Sequence, residues 1–255
     1  MKTKFIALLL IVLMQFVIIP PPKVLAATTR VDLLTADSFA VLAGSGITNT
    51  GATTITGDVG SFPTTTQTGL GSVTLNGANH SGDATTQQAK TDLVTAYNDA
   101  VGRAPTNTVT ADLGGQTLTS GVYKDNGAPA SLAITGTLTL DAQGDANAVF
   151  IFQSASTLVT ASASKVVLVN GAQPCNVYWQ VGSSATLGTT TTFVGNILAL
   201  TSITLNTGAT VTGRVLARNG AVTMDTNTIT KASCAAGTTG GSSLSSSNLI
   251  FQLIH

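Results

Sequence analysis

A repeat of about eighteen residues constrains this chain more than any other feature. Placing T-L-G-T-T-T-T-F-V-G (186–195) under T-L-N-T-G-A-T-V-T-G (204–213) aligns Thr186, Leu187, Thr189, Thr192 and Gly195 with Thr204, Leu205, Thr207, Thr210 and Gly213. The alignment runs on, with Gly195-Asn196-Ile197-Leu198-Ala199 over Gly213-Arg214-Val215-Leu216-Ala217. A third copy, T-M-D-T-N-T-I-T (223–230), loses one position inside its T-x-x-T segment, and fainter copies stand at 157–162 and 137–141. Apolar residues alternating with Thr or Ser, broken by Gly or Asn at this period, describe one coil of a β-solenoid. A single coil cannot bury its apolar row, so coils must stack. Leu187, Leu205, Met224, Phe193, Val211 and Ile229 are predicted to point inward and the intervening threonines outward, because strand side chains alternate faces.

Composition agrees with an all-β solenoid. The chain holds 44 Thr and 26 Gly, and only 9% of it is charged, against a usual quarter. All eleven acidic residues are Asp. β-branched and turn-forming residues dominate, which favours strands. One segment departs from the pattern. Residues 83–103 carry Ala89, Leu93, Ala96, Tyr97, Ala100 and Val101 at helical spacing, with Ser81 or Asp83 as cap and Gly102 and Pro105 marking the end. This predicts a helix along the solenoid flank. Residues 61–82 read as an irregular excursion, and 237–255 as a low-complexity tail.

Residues 1–26 read as an export signal: Lys2 and Lys4, the apolar run Phe5 to Ile19, then Val24-Leu25-Ala26 as a cleavage site. A retained anchor is the alternative. Cleavage would leave a domain at 27–236, with eight basic side chains against eleven acidic ones. No basic patch for nucleic acid and no basic amphipathic helix for a membrane is present. Cys175 and Cys234 can pair in an exported chain; two free thiols are the alternative, since spacing does not establish proximity.

The chain lacks the groups that catalysis needs. His80 and His255 are the only histidines, and neither His nor Cys spacing suits zinc. Asp141 and Asp145 lack the regular acidic spacing of a calcium loop and read as a turn. Arg214 and Arg218 have no acidic companions in neighbouring repeats, which argues against a polysaccharide-cleaving solenoid. No metal or cofactor is expected. Stacked coils would instead set Thr189, Thr207 and Thr226 in one ladder and Thr192, Thr210 and Thr228 in another, with spacings of about 4.8 Å between rungs and about 6.7 Å along a strand. Each Thr offers a methyl and a hydroxyl on a stiff χ1. Such a grid is flat, uncharged and pre-ordered, and its spacings lie near oxygen repeats of ice.

Longer strings carry a resemblance. L-T-A-D-S-F-A-V-L-A-G-S-G-I-T-N-T-G (34–51), I-T-G-D-V-G (55–60), L-T-L-D-A-Q-G-D-A-N-A-V-F-I-F-Q (138–153), N-G-A-Q-P-C-N-V-Y-W-Q-V-G-S-S-A-T-L-G (170–188) and G-R-V-L-A-R-N-G-A-V-T (213–223) resemble the secreted microbial ice-binding proteins. The resemblance covers roughly residues 30–235. It implies a discontinuous right-handed β-helix of triangular section, flanked by one long α-helix, with the N-terminal strands packed beside the last coil. It also implies that 61–82 caps one end, and that the pattern Thr-Ala/Gly-x-Thr/Asn touches ice. Thr50 to Thr53 and Thr207 to Thr210 match this pattern fully, so Thr50 and Thr53 should extend the ladders. Thr189 to Thr192, Thr226 to Thr228 and Thr160 to Ala163 depart from it.

The sequence is thus read as a secreted, monomeric, non-enzymatic protein whose partner is the ice surface. Its expected ice-contacting residues are Thr50, Thr53, Thr189, Thr192, Thr207, Thr210, Thr226 and Thr228. A cell-surface adhesin or carbohydrate-binding solenoid is the alternative, and would need a row of exposed aromatics. Trp179 and three Tyr are few for that.

Overall fold

The computed structural model describes residues 28–234, apart from 126 and 128–130. The export signal at 1–26 and the tail at 237–255 lie outside the described residues. Parallel strands wind into three faces, making a discontinuous right-handed β-helix of triangular section with one flanking helix.

The repeat is the coil. Thr192–Ala199 pairs in register with Thr210–Ala217 over eight consecutive residues, Thr192 with Thr210 and Gly195 with Gly213 among them. These strands run around a corner, so their first halves lie on one face and their second halves on the next. The inward residues expected from the repeat are buried: Leu187, Leu205, Met224, Phe193, Val211 and Ile229 all lie in one apolar core. A ladder of rings runs through it, with Phe152 stacked 4.1 Å from Trp179, and Tyr123 and Phe193 at 5.3 and 5.1 Å on either side. The Trp179 indole donates to the Val194 carbonyl at 3.0 Å, which satisfies its one buried donor.

The helix Ala84–Gly102 starts at Asp83, whose carboxylate accepts from the Thr86 amide. Ala89, Leu93, Ala96, Tyr97 and Ala100 pack against Phe39, Leu42, Ile151, Tyr178, Leu198 and Leu216 in a second apolar cluster. Val101, expected on the same stripe, is 49% exposed, because it falls beside the packed face one position after Ala100. The face under the helix is therefore covered on both sides, and Phe39–Ala43 and Val177–Val181 are buried throughout.

The discontinuity lies at the N-terminus. Ile47–Thr50 pairs with Val222–Asp225, Thr53–Thr56 with Thr228–Thr230, and Phe39–Ala43 with Thr210–Ala217. The N-terminal coil thus follows the last C-terminal one. Residues 61–82 form the end coil rather than an irregular excursion. Gln67–Thr68, Val73–Asn76 and Asn79–His80 extend the three faces in turn.

Arg214 is buried, and its guanidinium binds the Asp37 carboxylate at 2.7 Å, the Asp37 carbonyl and Asn196 Oδ1. It does have an acidic companion, brought in from the N-terminal segment. Cys175 and Cys234 form a disulfide that ties residue 234 back to the helix-covered side.

Candidate functional site

The face opposite the corner from the short strands carries two columns of outward side chains. The first runs Thr192, Thr210, Thr228, Thr54, Thr74, each level with the next across adjacent strands. The second runs Val194, Thr212, Thr230, Thr56, Asn76. Inward Phe193, Val211, Ile229 and Ile55 alternate between them and are buried. Five rungs span about 19 Å, and the columns stand about 6.7 Å apart. Lys165 interrupts the first column beside Thr192, with Thr137 beyond it, and Val167, 38% exposed, carries the second on to Thr139 and Thr117.

The eight threonines expected from sequence do not all lie here. Thr192, Thr210 and Thr228 stand in the first column as expected. Thr189, Thr207 and Thr226 are exposed in the turn leading onto this face. Each turn contains a left-handed residue: Thr190 (φ 57), Gly208 (φ 73), Thr226 (φ 53) and Gly51 (φ 69). Thr50 ends the neighbouring short strand, exposed and level with Asp225. Thr53 requires a correction. It is 1% exposed, and its hydroxyl accepts the Asn227 amide at 3.0 Å. The ladder position next to Thr228 belongs to Thr54.

The cause is local. Thr210 and Thr228 each come two residues after the left-handed residue, whereas Thr54 comes three after Gly51. The identical letters T-G-A-T at 50–53 and 207–210 are therefore displaced by one place in space, and Thr53 takes the inward position that Ala209 holds. Sequence reasoning also passed over Thr54, Thr56, Thr74, Thr212 and Thr230. Their signal was the two-residue period of Thr210-Val211-Thr212, Thr228-Ile229-Thr230 and Thr54-Ile55-Thr56.

The short-strand face presents a narrower array, the single column Thr186, Thr204, Thr223, Thr48, Thr68. At the corner between the faces sits Asp225. Its carboxylate accepts hydroxyls from Thr207 and, at 3.0 Å, Thr226. These hydrogen bonds, Thr207's first, hold it below the usual carboxylate range. Asp141 and Asp145 accept backbone amides from Gln143 and Asn147 at 2.8 Å, as turn residues do. Among the described residues no group of three His, Cys, Asp or Glu side chains is placed to hold a metal. The surface offers hydroxyls and methyls in a regular grid.

Fold and grid together define a β-helix with an ordered hydroxyl surface. The chain belongs to the Ice-binding-like family, which it matches over residues 41–230. It is 52% identical over 200 residues to an ice-binding protein of Nostoc sp. (strain HG1), covering 78% of this chain and 73% of that protein. Ice-binding protein 1 of Shewanella frigidimarina is 38% identical over 226 residues, covering 76% of this chain but 25% of that longer protein. Among solved structures, an ice binding protein from an Antarctic biological consortium superimposes with a TM-score of 0.79 at 50% identity, over 82% of this chain and 94% of that one. The ice-binding protein of the ascomycete Antarctomyces psychrotrophicus gives 0.76 at 44% identity, over 80% and 100%.

Proposed function

We propose that this chain adsorbs to ice through the face built on Thr192, Thr210, Thr228, Thr54 and Thr74 together with Thr212, Thr230 and Thr56, extended at its edge by the turn residues Thr189, Thr207 and Thr226. Adsorbed molecules pin the growing front, which curves between them, and so depress freezing and slow recrystallisation. The observation that carries this reading is the register: eight outward threonines in two columns on an apolar backing that is buried at every rung but the last. Hydroxyls anchor lattice waters, and methyls hold cage-like waters between them. Many weak contacts made together give adsorption that rarely reverses.

The protein acts as a monomer without catalysis or cofactor. It is exported, residues 1–26 being removed; the Cys175–Cys234 bridge suits an oxidising compartment. Among the described residues no helix is long and apolar enough to cross a membrane. The carbohydrate-binding alternative lacks its surface, since Trp179, Tyr178 and Phe152 are all fully buried.

The direct test is a single ice crystal held just below its melting point in purified protein. Faceting and arrested growth are expected, with a fluorescently labelled chain drawn into the ice. An unshaped crystal growing freely at high protein concentration would overturn the proposal.

A further inference from the structure

We infer that Asp225 is a positioning residue for ice contact, its carboxylate holding the hydroxyls of Thr207 and Thr226 in one fixed orientation along the corner. This rests on the threonine face being the ice-contacting surface. Asp225 ends the strand Val222–Asp225 and lies between two neighbouring coils. Thr50 stands level with it on one side. Thr207, from the coil on the other side, donates its hydroxyl to Oδ2. Thr226 donates to Oδ1 from 3.0 Å. The Thr50 hydroxyl donates instead to the Met224 carbonyl at 3.3 Å. Hydroxyls from two coils converge on one anion.

The turn is shaped to admit this arrangement. A Cβ at Gly51 would stand 3.2 Å from Asp225 Oδ1 and collide with Thr226 Oγ1. The ion pairs among the described residues involve other groups, so the carboxylate is served by hydroxyls alone.

A carboxylate on an ice-contacting surface is at first sight a defect, because it holds bulk water strongly. Here each carboxylate oxygen already accepts one neighbouring hydroxyl, so about half of its four acceptor sites are taken before any water arrives. A Thr hydroxyl has one donor and two lone pairs. With the donor committed to Asp225, the outward side of each hydroxyl presents acceptors only, at a fixed angle. Hydrogen bonds to an ionised acceptor are roughly twice as strong as neutral ones, so these hydroxyls lose the rotation of an isolated surface Thr. The strand threonines gain their order from β-pairing; the turn threonines gain theirs from Asp225. A rigid supporting contact of this kind is what a precise site needs.

Asp225→Asn keeps the size and replaces one acceptor oxygen with a donor. Thermal hysteresis and melting would be measured for Asp225→Asn, Thr207→Val, the pair together, and Thr212→Tyr as a reference. We expect Asp225→Asn to lower hysteresis severalfold at an unchanged melting midpoint. It should cost less in the Thr207→Val background, because both act through one hydroxyl. Three results overturn the assignment while Thr212→Tyr still abolishes hysteresis: Asp225→Asn keeps or raises activity, its effect adds fully to that of Thr207→Val, or its melting falls in step with its activity. Full hysteresis in Thr212→Tyr itself would instead remove the face reading beneath the assignment.

Discussion

Gly213 stands level with Gly195, and a methyl group on its α-carbon would fall on the Gly195 carbonyl. This stacked pair forms the corner where the threonine face turns under the helix. Both residues also have positive φ, 114° at Gly195 and 157° at Gly213, which L side chains rarely adopt. Gly213→Ala is therefore expected to cost well over about 1 kcal/mol. A urea titration should find the midpoint lowered. Hysteresis per folded molecule should hold, since no outward threonine moves. A variant as stable as the parent would show that the corner can relax.

The two threonine arrays give different expectations. Thr212 lies in the middle of the two-column face, and Thr204 lies in the single column of the short-strand face. Thr212→Tyr raises a ring above its neighbours and should remove most hysteresis. Thr204→Tyr should leave most of it. Thr212 is exposed and Thr204 half-buried, and exposed substitutions usually move stability by no more than about 0.5 kcal/mol. Hysteresis measured beside a melting curve decides the matter. If Thr204→Tyr is the inactive variant and Thr212→Tyr the active one, ice meets the short-strand face.

Much of this architecture was legible because each coil repeats the same local pattern. Leu205 and Val211 revealed their inward direction through their spacing, and the offset of eighteen became strand register directly. Two features were not legible. Thr53 shares its T-G-A-T context with Thr210, yet the strand that follows Gly51 presents Thr54. The positive φ falls on the Gly of T-G-A-T in both copies. What the letters do not show is that two residues carry the chain from Gly208 to the outward position but three from Gly51. Arg214 seemed isolated because its partner Asp37 is 177 residues away. Only the discontinuity of the solenoid joins them.

The Cys175–Cys234 bridge closes a loop of 59 residues. Restricting an unfolded chain over that length corresponds to about 4 kcal/mol. Cys175→Ser with Cys234→Ser should lower the melting midpoint substantially and leave ice shaping intact at low temperature, because neither residue lies on the threonine face. Equal melting of the parent with and without reductant, after labelling proves the thiols free, would contradict this expectation.

Lys90 supplies a pH dependence. Its ammonium sits on the buried side of the helix and donates to the Ala217 and Arg218 carbonyls at 2.6 and 2.5 Å. Burial first, and the Arg218 charge second, lower its pKa from 10.5 to about 8. Below pH 8 the lysine is charged in both folded and unfolded chains, so the penalty of burying the charge is fully present. Between about 8 and 10.5 the unfolded chain binds more protons than the folded one, and stability must rise with pH. The full gain is at most about 3 kcal/mol. Tyr97, Tyr123 and Tyr178 are each raised by burial and act oppositely above pH 10. The useful window is therefore pH 7 to 10, read as the difference between the parent and Lys90→Met, where the tyrosines cancel. Lys90→Met should show a flat profile and the parent a rising one. Parallel profiles through that window would mean that Lys90 keeps its proton in the folded chain, with the two carbonyls outweighing the cost of burial.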